Sequence, residues 1–475
     1  HYDVVDVEEY GSLKDYAFDL DEINARISEL PMDDDSRKDL ESGKWIFGRG
    51  TADMKFGHAL CIELMRHFDE ETKKAAESGD RPPLNGNLLY VAVCGEETNS
   101  EGMLQAVSFL NDFERKKGVH YKAFLLTECF MSDDPSRDTN KYIHYGASGK
   151  VMPMFFFAGE ACHGAEPFMG IDPDLMACEV YRRMHLNPEF CQTSMGEITP
   201  PPVCLSFRDM KPTYSVSTPL YTASYYNLVT VKLNPAEVME KLLRIAREAF
   251  DASKDFVEAK AAEYKKTTGA DPVVYDAETC VVTFRELYEQ ACADFEGGKD
   301  ALDRRIGELA EEMISGGAEI QTVSVQIIKT VYEAVKAKKP AIVVAVIPPY
   351  YPDVYIPRDD KDAAELLAAC GRIIDYAGER YGETLKMKNY FMGISDMCYT
   401  GLAEGMNFDS LFENLVGIGS IYQFPEDALR KFRVPGIVLG GYGKDFHKHT
   451  ERLEKHYNFD VLPDLYDRLI RDLLK

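Results

Sequence analysis

With 475 residues, 45% of them apolar, the chain is longer than a single hydrophobic core usually serves, and two domains are expected. A formal net charge of −26, with no basic stripe set among aromatics, repels phosphate backbones and anionic lipid surfaces and argues against nucleic acid or membrane as a partner, without identifying a substrate. No apolar run approaches the ~20 residues of a membrane span, and the eleven cysteines, odd in number and without a CxxC pair, read as buried thiols of a reducing cytoplasm.

From the start to about Gly149, strand-like runs alternate with helical periods. WIFG (45–48), NLLYVAVC (87–94), KAFLLTE (122–128) and YIHYG (142–146) have strand character, while DMKFGHALCIELMRHF (53–68) and SEGMLQAVSFLNDF (100–113) repeat with a helical period. That alternation predicts a wound α/β sheet. The middle differs: KVMPMFFFAG (150–159) leads into a helical tract that starts at Pro235, resumes at FRELYEQACADF and ends near 338, before AIVVAVI (341–347) and a PPYYP hinge. DAAELLAACGRIIDYAGERYG (362–382), GIVLGG (436–441) and a helix near 459–474 then return to the first style. The order predicts a catalytic domain made of 1–148 and 353–475, interrupted by an inserted domain over 149–352.

The sharpest chemical signal is VCGEETNSEG, where Glu96 and Glu97 leave a strand-like run. Adjacent residues at a strand end point to opposite sides, so one carboxylate can bind metal while its neighbour handles a proton, and open α/β sheets place their sites at those ends. Alone, such a pair is usually a solvated loop. It is not alone, because Asp53 sits in the glycine-rich turn GRGTADMKFG, Glu128 ends LLTE, and His447 follows a late strand in GYGKDFHKHTE. With His1 these form a nitrogen and oxygen donor set, free of thiolate, that suits zinc, with manganese or cobalt as alternatives. His58, His449 and His456 read as helix-surface or local polar residues.

These landmarks resemble the dizinc aminoacylase, carboxypeptidase and desuccinylase family of metallohydrolases. HYDVV resembles its HxD motif, GRGTADMK its GRGxxDMK motif, CGEETNSEG its EE motif and FHKHTE its late HxxxE, in the family's order. The nearest likeness is to the arginine-utilisation branch, through HYDVVDVEEYG, YSVSTP, NYFMGISDMCY and GKDFHKHTERL. The resemblance implies a phosphorylase/hydrolase-like wound mixed sheet with an inserted α+β lid of the dimerisation type, and a cytoplasmic hydrolase of N-acyl amino acids or short peptides that forms a homodimer. It implies two divalent ions, one on His1, Asp53 and Glu128 and one on Asp53, Glu97 and His447. Asp3 would orient His1, Glu96 would be the general base, and His163 in ACHGAEPFMGIDP would hold the oxyanion. The family's Asp53-type step is often a cis peptide.

The chain departs from the pattern where the family usually has an arginine for a substrate carboxylate, since YSVSTPLYTASYYNLVT contains none. Asn227 or Arg208 could substitute, and Ser395 and Asp396 in GISDM have a weak match to a substrate-side role. Three readings stay open: an N-acyl amino acid hydrolase, a dipeptidase or aminopeptidase, and a non-catalytic metal- or amino-acid-binding homologue. In the family, HxD ends an interior strand that follows a helix, so the sequence is expected to continue before His1 by roughly a strand and a helix.

Overall fold

The computed structural model describes residues 1–130, 138–403 and 405–475, and divides into two units. One comprises His1–Ser148, Pro352–Glu404 and Pro425–Lys475; the other comprises Gly149–Tyr351 and Gly405–Phe424. The 405–424 stretch, read from sequence as catalytic-domain chain, goes with the second unit because its backbone is bonded there. Val346 N–H donates to the Asn414 carbonyl at 2.9 Å, and Val416 N–H returns to Val346 at 2.9 Å.

The first unit carries a four-stranded mixed sheet in the order Leu385–Phe391, Lys141–Ala147, Gly436–Val438, Phe124–Leu126. Its outer pairs are parallel and the central pairing is antiparallel. A smaller antiparallel sheet joins Trp45–Phe47, Arg452–Glu454 and Gly443–Lys444. The helix Phe56–Ser78 buries Phe56, Leu60, Leu64 and Phe68, a stripe at i+4 spacing. Each such side chain is worth roughly 1.5–3 kcal/mol of burial. The helix stops at Gly79, whose φ of 74° is cheap only for glycine. Lys361–Tyr381 begins where the Asp360 carboxylate accepts from Asp362 and Ala363 N–H, and buries Ala363, Leu366, Cys370, Ile373 and Ala377. It packs on Leu462–Leu473, which also touches Phe56–Ser78.

One expected strand is absent. NLLYVAVC has the alternation of a strand, but a strand also needs a neighbour with which to exchange hydrogen bonds. Among the described residues 87–94 pairs with no sheet strand; Tyr2 N–H donates to Val93 and Gly102 N–H to Cys94, both at 3.0 Å, and Leu89 is 48% exposed. Glu96 and Glu97 therefore leave a turn and not a strand end.

The second unit is a six-stranded sheet, with Val281–Thr283, Ala341–Val346, Pro153–Ala158, Tyr221–Thr230 and Gly149–Val151 in order and Val203–Asp209 also on Tyr221–Thr230. Met154, Phe156, Ala158, Ala341, Val343 and Ala345 alternate onto one face, where they share a core with Phe284, Leu287, Ile327 and Val331 of the following helices. The long helical tract becomes Pro235–Thr268, Phe284–Asp294, Gly298–Ser315 and Ile320–Ala334. Pro235 occupies the first turn, where its missing N–H costs nothing, and Asn234 caps the helix. The mixed-sheet unit interrupted by a separate helical and β-sheet unit is the predicted fold class. No described helix is long and apolar enough to cross a membrane.

Candidate metal centre

The expected ligands converge in the first unit. His1 Nε2 lies 3.2 Å from Asp53 Oδ1 and 3.3 Å from Glu128 Oε2. His447 Nε2 lies 3.1 Å from Asp53 Oδ2 and 3.2 Å from Glu97 Oε2. Two groups result, His1 with Asp53 and Glu128 and Asp53 with Glu97 and His447, each with ligand atoms within 4.8 Å of one another. Asp53 belongs to both, one oxygen toward each histidine. Glu96 stands outside both groups, with Oε2 3.5 Å from His1 Nε2. The neighbouring glutamates thus face different histidines.

Local structure explains the convergence. The Asp53–Met54 peptide is cis, and Asp53 itself is not helical although helix follows at Phe56. Glu128 emerges just beyond Phe124–Leu126, where a Cβ on Gly440 would come within 1.8 Å of the Glu128 carbonyl oxygen. Only glycine lets the late strand lie that close. Asp3 acts otherwise than expected: its backbone carbonyl, not its carboxylate, meets His1 Nδ1 at 3.0 Å, the carboxylate lying farther at 3.5 Å. That carboxylate accepts from Glu96 N–H at 3.4 Å and Glu97 N–H at 3.1 Å, anchoring the acidic turn.

The electrostatics call for a cation. Burial alone would lower the His1 imidazole, yet hydrogen bonds to Asp53 and Glu128 raise it to about 12, and bonds to Asp53 and Glu97 raise His447 to about 10. Burial lifts Glu128 to about 7, with the Asp53 charge adding to it. Burial likewise holds Glu96 well above the usual carboxylate range. Glu97 Oε1 is buried without a hydrogen-bond partner. Paired imidazoles and carboxylates with open lone pairs fit two divalent first-row ions, and all eleven cysteines are free thiols outside the two groups.

A pH dependence follows. His447 rises from 6.5 to about 10, so the folded metal-free protein holds a proton that the unfolded chain gives up. The resulting stability is complete below about 6.5 and is lost as pH rises through 10. Ion binding must displace such protons. Calorimetric zinc titrations at pH 7 are expected to show buffer-dependent heats from proton release, with affinity rising with pH. Heats independent of the buffer would contradict the protonated imidazoles.

Of the four remaining candidates, two belong to the first unit and two to the second. Ser395 and Asp396 are buried in the first unit at the start of a short 3-10 turn, and burial pushes Asp396 up to about 7 against the opposing pull of His1. His163 is exposed in a loop of the second unit, its Nδ1 accepting from Ala165 N–H at 3.1 Å. Asn227 lies on Tyr221–Thr230 of the second unit, paired with Val203. His58 is not a surface residue, since it bridges the His1 carbonyl and the Tyr90 hydroxyl. Sequence reading assigned no job to Arg49 or Glu451, although both stand inside the quoted motifs. They form a buried ion pair of 2.7 Å beside Asp53 and His447.

A family model described as Peptidase family M20/M25/M40 matches residues 1–425. The uncharacterized protein YqjN of Bacillus subtilis is 34% identical over 482 residues, covering 100% of this chain and 83% of that protein. Protein RocB of the same organism is 30% identical over 476 residues, with 100% and 81% covered. Among solved structures, the aminopeptidase PepT from Bacillus cereus aligns with a TM-score of 0.45 at 14% identity, over 91% of this chain and 75% of that one.

Proposed function

This chain belongs to the Peptidase family M20/M25/M40, and from that premise we propose that it is an amidohydrolase with two metal ions that cleaves an N-acylated amino acid or a short peptide. The observation that carries the reading is the pair of imidazole and carboxylate groups sharing Asp53. His1, Asp53 and Glu128 would hold one ion and Asp53, Glu97 and His447 the other. Zinc suits this donor set best, with manganese or cobalt as alternatives. Once bound, such a pair supplies Lewis acidity, polarising an acyl carbonyl and lowering the pKa of water.

The other tasks fall to side chains. Glu96, close to His1 but outside both groups, takes the proton of the attacking water and passes it to the departing nitrogen. Burial raises the carboxyl above its usual range, which favours its holding that proton between the two transfers. Asp3 keeps the acidic turn in place through the Glu96 and Glu97 N–H groups. His163 donates to the substrate oxygen as the carbonyl carbon becomes tetrahedral. Asn227, Ser395 and Asp396 are assigned to the substrate side. We take the substrate to be a small cytoplasmic metabolite and the assembly to be a homodimer, as the motif likeness to the arginine-utilisation branch implies; the match to RocB over 100% of this chain and 81% of that protein supports the likeness.

A dipeptidase or aminopeptidase is the second reading, and the lack of an arginine in YSVSTPLYTASYYNLVT to clamp a carboxylate supports its aminopeptidase form, which reads the free amino end of its substrate. A panel of N-acylated amino acids and dipeptides tests both. The expected result is hydrolysis that chelation abolishes and a divalent ion restores. A requirement for a free amino group selects the second reading. Protein loaded with two ions that hydrolyses nothing in the panel would leave only a binding role.

A further inference from the structure

Arg49 and Glu451 take no part in the reaction proposed above. Their side chains are each 1% exposed, and they join chain segments 402 positions apart. A buried ion pair is a poor source of stability, because desolvating two charges offsets their attraction. Where the pair's other hydrogen bonds go is therefore more telling. Glu451 Oε1 accepts from the main-chain N–H of Ala52 at 3.1 Å and of Asp53 at 3.2 Å. Arg49 Nη2 donates to the carbonyl of His447 at 3.0 Å, and its Nε to the carbonyl of Asp6 at 3.1 Å. His447 has a φ of 67°, a left-handed backbone that a side-chain-bearing residue adopts at a cost and keeps only when its surroundings hold it.

We propose that Arg49 and Glu451 are positioning residues that brace Asp53 and His447, and hence mainly the metal group of Asp53, Glu97 and His447. The proposal rests on the two-metal reading. The asymmetry follows from which ligands are reached: the brace holds two of three ligands in that group and only Asp53 in the other. The ligands of the other group have their own supports. His1 Nδ1 meets the Asp3 carbonyl, and Glu128 Oε1 accepts from Cys129 N–H at 3.2 Å. An ion pair suits the task because it adds no net charge to a cluster already crowded with carboxylates. A lysine at position 49 could not replace the arginine, since a single ammonium cannot span Asp6, Glu451 and His447 as a planar fork does.

The test is a calorimetric zinc titration of the full metal-free chain, resolving two binding steps. His447→Ala and Glu128→Ala identify which step is which. The double variant Arg49→Met with Glu451→Met removes both buried charges together, so neither is left unpaired. Its expected effect is a loss of about 10–100-fold in affinity at the His447 step, the range for removing groups that orient metal ligands. The Glu128 step should move much less, and Arg49→Lys should share the same selective loss. If the double variant does not fold, Glu451→Gln carries the test, because it keeps an acceptor oxygen and drops the ion pair. Equal weakening of both steps, or a lowered melting temperature with both affinities intact, overturns the brace. A wild-type chain that takes up fewer than two ions refutes the two-metal reading itself, which separates that failure from failure of the brace.

Discussion

Replacing Glu96 by glutamine is expected to lower kcat by about 10²–10⁴-fold, the usual share of a general acid or base, while the protein still binds two ions. Geometry sets this apart from its neighbour. Glu97 pairs with His447 inside a ligand group, whereas Glu96 approaches His1 from outside both groups. Glu97→Gln should therefore lose metal as well as turnover, and Glu96→Gln only turnover. Isosteric glutamine preserves packing at a position whose side chain is 10% exposed, which removes misfolding as a cause. Metal analysis and steady-state kinetics on the same preparations decide it, and full activity in Glu96→Gln would sink the assignment.

The second large effect is at Asp53. Because it alone belongs to both groups, Asp53→Ala is expected to lose both ions, while His447→Ala should lose one. The stability readout runs the same way. An ion present at 100 times its Kd stabilises the native state by about 2.7 kcal/mol, so zinc should raise the melting temperature of the wild type and leave that of Asp53→Ala almost unmoved. Without metal the variant should be less stable than the wild type at neutral pH, since Asp53 is the carboxylate that pairs with both His1 and His447 and raises them, so the readout is the shift that zinc produces in each protein. A variant that retained zinc-dependent stabilisation would show that the shared carboxylate is dispensable.

The residues that the fold gathers into two groups were legible because they sit in short stretches whose residue types carry the chemistry. What escaped detection depends on distant pairing. NLLYVAVC alternates like a strand, but alternation cannot supply a hydrogen-bonding neighbour, and 87–94 pairs with no strand among the described residues. The two oxygens of Asp3 are spent on main-chain N–H groups 93 and 94 positions away, which no local pattern encodes. Arg49 and Glu451 were both in view inside motifs, yet their partnership spans 402 positions and required the fold. His58 looked like an exposed helix residue because its partners, the His1 carbonyl and Tyr90, come from other segments. The interruption at 405–424 was hidden for the same reason, being set by bonds to distant residues such as Val346, Arg285 and Tyr350.

The central claim is a two-metal centre with Asp53 between the ions. Anomalous diffraction at the zinc edge from crystals of the zinc-loaded protein tests it most directly. Two peaks are expected, one beside His1 and Glu128 and the other beside Glu97 and His447, with one Asp53 oxygen toward each. A single peak, or zinc bound away from Asp53, would contradict it.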